Sequence, residues 1–220
     1  MAVFGATPKS NPVLPKCLPG FSHINRYWDD RQQVFAAKIL PGEFYVSLTG
    51  EMIVTTLGSC VAACIRDRRI GIGGMNHFML PVQNENSSVQ WGSSAVSAAT
   101  RYGNWAMEYL INEILKNGGR REHLEVKLFG GGKVLNGINS IDVGARNIQF
   151  VLSYLKQEGI PVAASDVGDI YPRKVLYFPD TGSVKVRKLK RVENDTVFVR
   201  ETNYANQINQ KPAEGDIELF

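Results

Sequence analysis

Cysteine and histidine are both scarce, at three each in 220 residues. An odd, sparse cysteine set excludes the disulfide framework of a small secreted protein and points to reduced thiols. No apolar run approaches the roughly 20 residues of a membrane span. The first residues, broken by Pro8, Pro12, Pro15 and Pro19, lack the continuous apolar core of a signal peptide. A cytoplasmic protein without membrane insertion is therefore expected. Neither sign of charge dominates: 25 basic and 21 acidic residues leave a net charge of +4, and the basic residues are spread widely. The basic cluster Lys185, Arg187, Lys188, Lys190 and Arg191 has no interleaved aromatics, so a solvated strand edge accounts for it and nucleic-acid binding does not.

What is present is ordinary globular composition, 44% hydrophobic and 21% charged, in a chain long enough to bury a core without staples. The pattern divides it into an arm over residues 1–25, a domain over 26–200 and a tail over 201–220 that lacks a core pattern and is expected to be mobile. Strands are expected over 43–48, 52–57, 124–129, 162–167, 174–178 and 184–189, with a hairpin over 60–77. Residues 82–92 read as a polar loop. Two helices stand out. One runs from a cap at Ser93 or Ser94 to Lys116, with Met107, Leu110, Ile111 and Ile114 on one face; the other covers 145–158 and stops at Gly159.

The chemistry concentrates around Cys60. A catalytic thiol needs a base, a group that orients the base, and backbone donors for an oxyanion. A hairpin centred on the Arg68–Arg69 bond sets Cys60 directly opposite His77, on one face and close enough for a thiolate–imidazolium pair. A one-residue slip at Gly71, Gly73 or Gly74 would turn His77 away. Gly58 and Ser59 allow a tight turn in which the amides of Ser59 and Cys60 converge on an oxyanion, and Thr55 on the preceding strand is placed to orient the imidazole, with Thr56 its neighbouring competitor.

Other residues carry plainer readings. Cys17 and Cys64 read as small buried hydrophobes, His23 and His123 as surface or structural histidines, and Asp67 as a turn residue. A metal held by Cys60, Cys64 and His77 lacks the paired spacing of known sites, so no metal and no cofactor is expected. Gly130-Gly131-Gly132 matches neither nucleotide-loop pattern and reads as close backbone packing. Arg146 and Asn147 are either polar contacts to the site or a solvated helix end.

The segments TTLGSCVAAC from Thr55, GGMNHFMLP from Gly73, RYGNWAMEYLIN from Arg101, KLFGGG from Lys127 and RNIQF from Arg146 occur in an order that resembles the chemoreceptor glutamine deamidases, the CheD family of bacterial chemotaxis. EGIPV from Glu158 and the strands RKVLYF and TGSVKV extend the resemblance, which covers residues 40–189. It implies a three-layer α/β/β sandwich with mixed, mostly antiparallel sheets and two main helices on one side. It also implies cysteine-dependent hydrolysis of receptor glutamine amides, with Cys60 as nucleophile, His77 as base and Thr55 as its support. The partners implied are the cytoplasmic helical domain of methyl-accepting chemoreceptors and a chemotaxis phosphatase of the CheC type. Hydrolysis of receptor glutamyl methyl esters would use the same intermediate, and a pure adaptor would need neither Cys60 nor His77.

Overall fold

The computed structural model describes residues 13–81, 98–134, 142–190 and 196–210. Among them are ten strands: β1 (Asn25–Asp29), β2 (Val34–Lys38), β3 (Phe44–Ser47), β4 (Met52–Leu57), β5 (Val61–Asp67), β6 (Gly73–Asn76), β7 (Leu124–Gly130), β8 (Val162–Val167), β9 (Arg173–Phe178) and β10 (Ser183–Lys188). Three α-helices join them, α1 (Ala98–Lys116), α2 (Val143–Gln157) and α3 (Thr196–Gln210).

The strands form two five-stranded sheets, ordered β1-β2-β4-β9-β10 and β3-β6-β5-β7-β8. Pairing is antiparallel except between β2 and β4 and between β7 and β8. Helices α1 and α2 pack on the second sheet, giving helices, sheet and sheet in three layers. One large core joins them: Ile53, Leu57, Val175 and Tyr177 of the first sheet, Ala63, Ile65, Met75 and Leu128 of the second, and Met107, Leu110, Ile111, Ile114 and Val151 of the helices are all buried. This is the sandwich that the resemblance implies.

Local signals explain most boundaries. Helix α1 buries the expected stripe and ends where Gly118, at φ 99°, sends its amide to Leu115 while Gly119 donates to Ile114. This double closure lets a glycine take the left-handed turn after the last carbonyls. Helix α2 ends the same way, Gly159 donating to Lys156 and Ile160 to Leu155. At its start the Asp142 carboxylate accepts from the Ala145 amide. The proposed caps Ser93 and Ser94 and the polar loop over 82–92 lie outside the described residues.

Two parts of the pattern differ from the sequence reading. Residues expected to belong to an arm are tied in from Cys17 onward: Cys17 and Leu18 pack on the core, Phe21 and Ile24 are buried in it, and β1 begins at Asn25. Arg26 holds this end down by an ion pair with buried Glu51, which also accepts from Tyr45 Oη. At the other end, the boundary drawn at residue 200 falls inside α3. Its polar composition conceals a stripe in which Val197, Glu201 and Ala205 are buried and Tyr204 and Ile208 pack on the core. The described part of the tail is therefore helix.

Candidate active site

Strand β4 belongs to one sheet and β5 to the other, so the link between them, Gly58-Ser59-Cys60, must cross between layers. Glycines elsewhere fix its course. The amide of Gly131 donates to the Cys60 carbonyl and that of Gly132 to the Gly58 carbonyl, both at 2.7 Å. Gly130 and Gly131 adopt φ of 105° and 67°, and a Cβ on Gly130 would sit 2.2 Å from the Cys60 oxygen. Only glycine meets both demands. The glycine run is thus close backbone packing, as the sequence suggests, and what it packs is the loop that carries the thiol.

Asn147, fully buried on α2, completes the frame: its Nδ2 donates to the Ser59 carbonyl and its Oδ1 accepts from the Leu80 amide, both at 2.9 Å. Of the pair Arg146 and Asn147, the second is therefore the contact to the site. Buried Arg173 adds bonds to the Gly130 and Gly168 carbonyls and to Asp166.

With their carbonyls held from one side, the amides of the loop point to the other. Gly58 and Ser59 each donate to a carboxylate oxygen at 2.7 Å, and Cys60 donates at 3.2 Å. The expected pair of converging amides is in fact three. Glycine at position 58 leaves room for the acceptor: a Cβ there would lie 2.6 Å from the carboxylate oxygen.

Cys60 and His77 do come together, by a different pairing. Cys64 faces Met75 rather than Gly73, and Val61 bridges Phe78, so the hairpin turns between Arg69 and Ile70 and the register is displaced by two residues. The turn is wound by Asp67, which accepts the amides of Arg69 and Ile70 on one oxygen and of Arg120 on the other. An even displacement preserves the face, since side chains alternate with period two. His77 becomes the diagonal neighbour of Cys60 instead of its opposite, and the thiol and a ring nitrogen still lie within 4.8 Å.

Thr55 is buried, and its Oγ1 is 2.7 Å from His77 Nδ1 while donating to the Ile39 carbonyl at 2.9 Å. A hydroxyl has one proton, so Nδ1 must be the donor in the first of these bonds. That fixes the tautomer and leaves Nε2 as the basic atom; it is buried and has no hydrogen-bond partner. Thr56 lies half-buried beside Lys174 of β9 and does not share this role.

The carboxylate at the loop belongs to Glu201 of α3, a residue the sequence reading passed over. Its Oε2 also accepts from Ser59 Oγ at 2.7 Å. Burial pushes the Cys60 thiol well above its ordinary range, and the neighbouring Glu201 charge pushes it further. Burial, reinforced by the charge of Arg200, lowers His77 to about 3. Both shifts oppose a thiolate–imidazolium pair while α3 is seated, because desolvation penalises either charge.

Cys60, His77 and Glu201 form the one group among the described residues spaced to share a metal ion, with ligand atoms within 4.8 Å of one another. Cys64, buried on β5, is outside it. The two Glu201 oxygens already accept from three amides and a hydroxyl, which fills a carboxylate's usual acceptor capacity. The donor set therefore does not fit a metal while those bonds stand. His123 lies 3.4 Å from Asp67, and His23 is exposed; both are away from the site. Cys17 is partly buried against the core. No described helix is long and apolar enough to cross a membrane.

A sequence profile described as CheD chemotactic sensory transduction matches residues 79–188. The chain is 58% identical over 216 residues to a protein of Halorhodospira halophila named probable chemoreceptor glutamine deamidase CheD, covering 98% of this chain and 99% of that one. A protein of the same name from Saccharophagus degradans is 49% identical over the same shares of both chains. One from Dechloromonas aromatica, named probable chemoreceptor glutamine deamidase CheD 1, is 56% identical over 196 residues, 89% of this chain and 94% of the relative. With that similarity running through the segments that build the thiol loop and its glycine frame, the chain belongs to the CheD family.

Proposed function

We propose that this protein hydrolyses glutamine side-chain amides to glutamate on bacterial chemoreceptors, using Cys60, His77 and Thr55. The observation that carries the reading is the conjunction of a cysteine, a histidine of fixed tautomer and three convergent amides whose present occupant is a glutamate side chain, the chemical form of the product.

In the reaction, the substrate carboxamide oxygen takes the place of the Glu201 carboxylate. Cys60 gives its proton to His77 Nε2 as Sγ attacks the carboxamide carbon, and the amides of Gly58, Ser59 and Cys60 hold the oxyanion. The imidazolium so formed remains bonded to Thr55 through Nδ1–H. It returns the proton from Nε2 to the departing nitrogen, and ammonia leaves. Water, deprotonated by the same Nε2, then attacks the γ-glutamyl thioester; the C–S bond breaks, Sγ regains its proton, and glutamate is released. Amide and water have become carboxylate and ammonium, with the enzyme unchanged.

The substrate on this reading is a cytoplasmic helical segment of the receptor, which also places the enzyme in the cytoplasm. Each conversion adds a negative charge to a receptor poised between signalling states, enough to shift its balance. The test is ammonium release from a purified receptor cytoplasmic fragment. Wild-type protein should release it and Cys60→Ala should not; methanol from a methylated fragment without ammonium would move the activity to ester hydrolysis.

A further inference from the structure

Glu201 does more than lie near the site. Both its oxygens are held by the three amides and the Ser59 hydroxyl that would otherwise receive the substrate. Charge-assisted bonds of this kind are about twice as strong as neutral ones. The helix that bears it is itself docked: Val197 and Ala205 are buried a turn to either side, and Tyr204 bonds to Tyr102 Oη of α1. The Tyr204 ring also fills the space over Gly42, where a Cβ would meet its oxygen at 2.9 Å. With α3 in place, Cys60 has no exposed surface.

Granting the proposed deamidase reading, we infer that α3 is a built-in inhibitor: it presents Glu201 to the acyl site as a helix-borne copy of the product, and a receptor helix must displace it before reaction. Nothing in the proposed chemistry needs a carboxylate there. A second anion against Sγ opposes the thiolate, and the oxyanion donors cannot serve a substrate while Glu201 holds them. A glutamine side chain arriving on a receptor helix would meet the same donors in the same helical presentation, so the two compete for one seat.

The test uses the full chain with Glu201→Ala and, as a variant that keeps the carboxylate but forces the helix off its seat, Ala205→Arg. Two rates are read: alkylation of Cys60 by iodoacetamide, located by peptide mass spectrometry, and ammonium release from a receptor cytoplasmic fragment. The inference predicts alkylation at least tenfold faster than wild type in both variants, and ammonium release several-fold faster in Glu201→Ala. Alkylation at the wild-type rate in both variants would overturn it. So would faster alkylation with slower ammonium release in Glu201→Ala, which would make Glu201 a group the reaction requires. Faster alkylation with no ammonium from any form, wild type included, upholds the block and sinks the deamidase reading instead.

Discussion

Thr55 Oγ1 stands 2.7 Å from His77 Nδ1 and spends its only proton on the Ile39 carbonyl, so a residue of one sheet dictates the tautomer of a histidine carried by the other. Thr55→Val keeps the shape and removes the acceptor. Activity should fall, by less than the roughly 10²–10⁴-fold that a whole general base contributes. Thr55→Ser should retain most of it. Thr56→Val, beside Lys174 on β9, should change little. Initial rates of ammonium release for the three variants check this.

Asn147 joins the Ser59 carbonyl to the Leu80 amide from a fully buried position. Asn147→Leu leaves both backbone groups unpaired, at about 1–3 kcal/mol each before relaxation. Denaturant unfolding should show a loss of at least 1 kcal/mol, and Cys60-dependent activity should drop with it because the loop loses its tie to α2.

Gly130→Ala should be worse than its size suggests. The added methyl meets the Cys60 oxygen at 2.2 Å, on a residue whose φ is 105°. Strain in that region costs on the order of 1–3 kcal/mol, before the clash is counted. A fall in melting temperature together with loss of activity is expected, whereas Gly118→Ala, which also has positive φ but no atom near its Cβ, should cost stability alone.

Stability should depend on His77. Its folded value, lowered from 6.5 to about 3, means that the unfolded chain takes up the proton first as pH falls. The contribution of the neutral ring is fully present above 6.5 and is lost progressively below it, by about 1 kcal/mol between pH 7 and 5.5. Unfolding free energies at those two pH values should differ by about that much more in wild type than in His77→Gln.

Much of this was legible in the sequence, and the misses have identifiable causes. Periodicity gave α1, the glycine stop gave α2, and apolar runs bounded by turn signals gave the strands from β3 onward, β6 through the symmetry of the hairpin. The facing of Cys60 and His77 survived a wrong register because the displacement was two residues; a displacement of one would have separated them. Strands β1 and β2, five residues each, were missed because the polar Asn25, Arg26, Asp29 and Lys38 interrupt their apolar residues. Helix α3 was missed because a glutamate occupies a position of its inward stripe. The spacing of Val197, Glu201, Tyr204, Ala205 and Ile208 was the available signal, and it becomes visible only once a carboxylate is allowed to face a ring of amides. The third amide donor, Gly58, was likewise hidden, since nothing local to the turn reveals what will sit above it.

The central claim is that Cys60 takes the acyl group of a receptor glutamine and gives it to water. Incubating a receptor cytoplasmic fragment in water enriched in oxygen-18 tests it most directly, because hydrolysis of the thioester places one solvent oxygen in each new glutamate, a gain of about three daltons per site. Wild-type protein should produce that gain and Cys60→Ala should leave the fragment unchanged. An equal gain with Cys60→Ala would contradict the account.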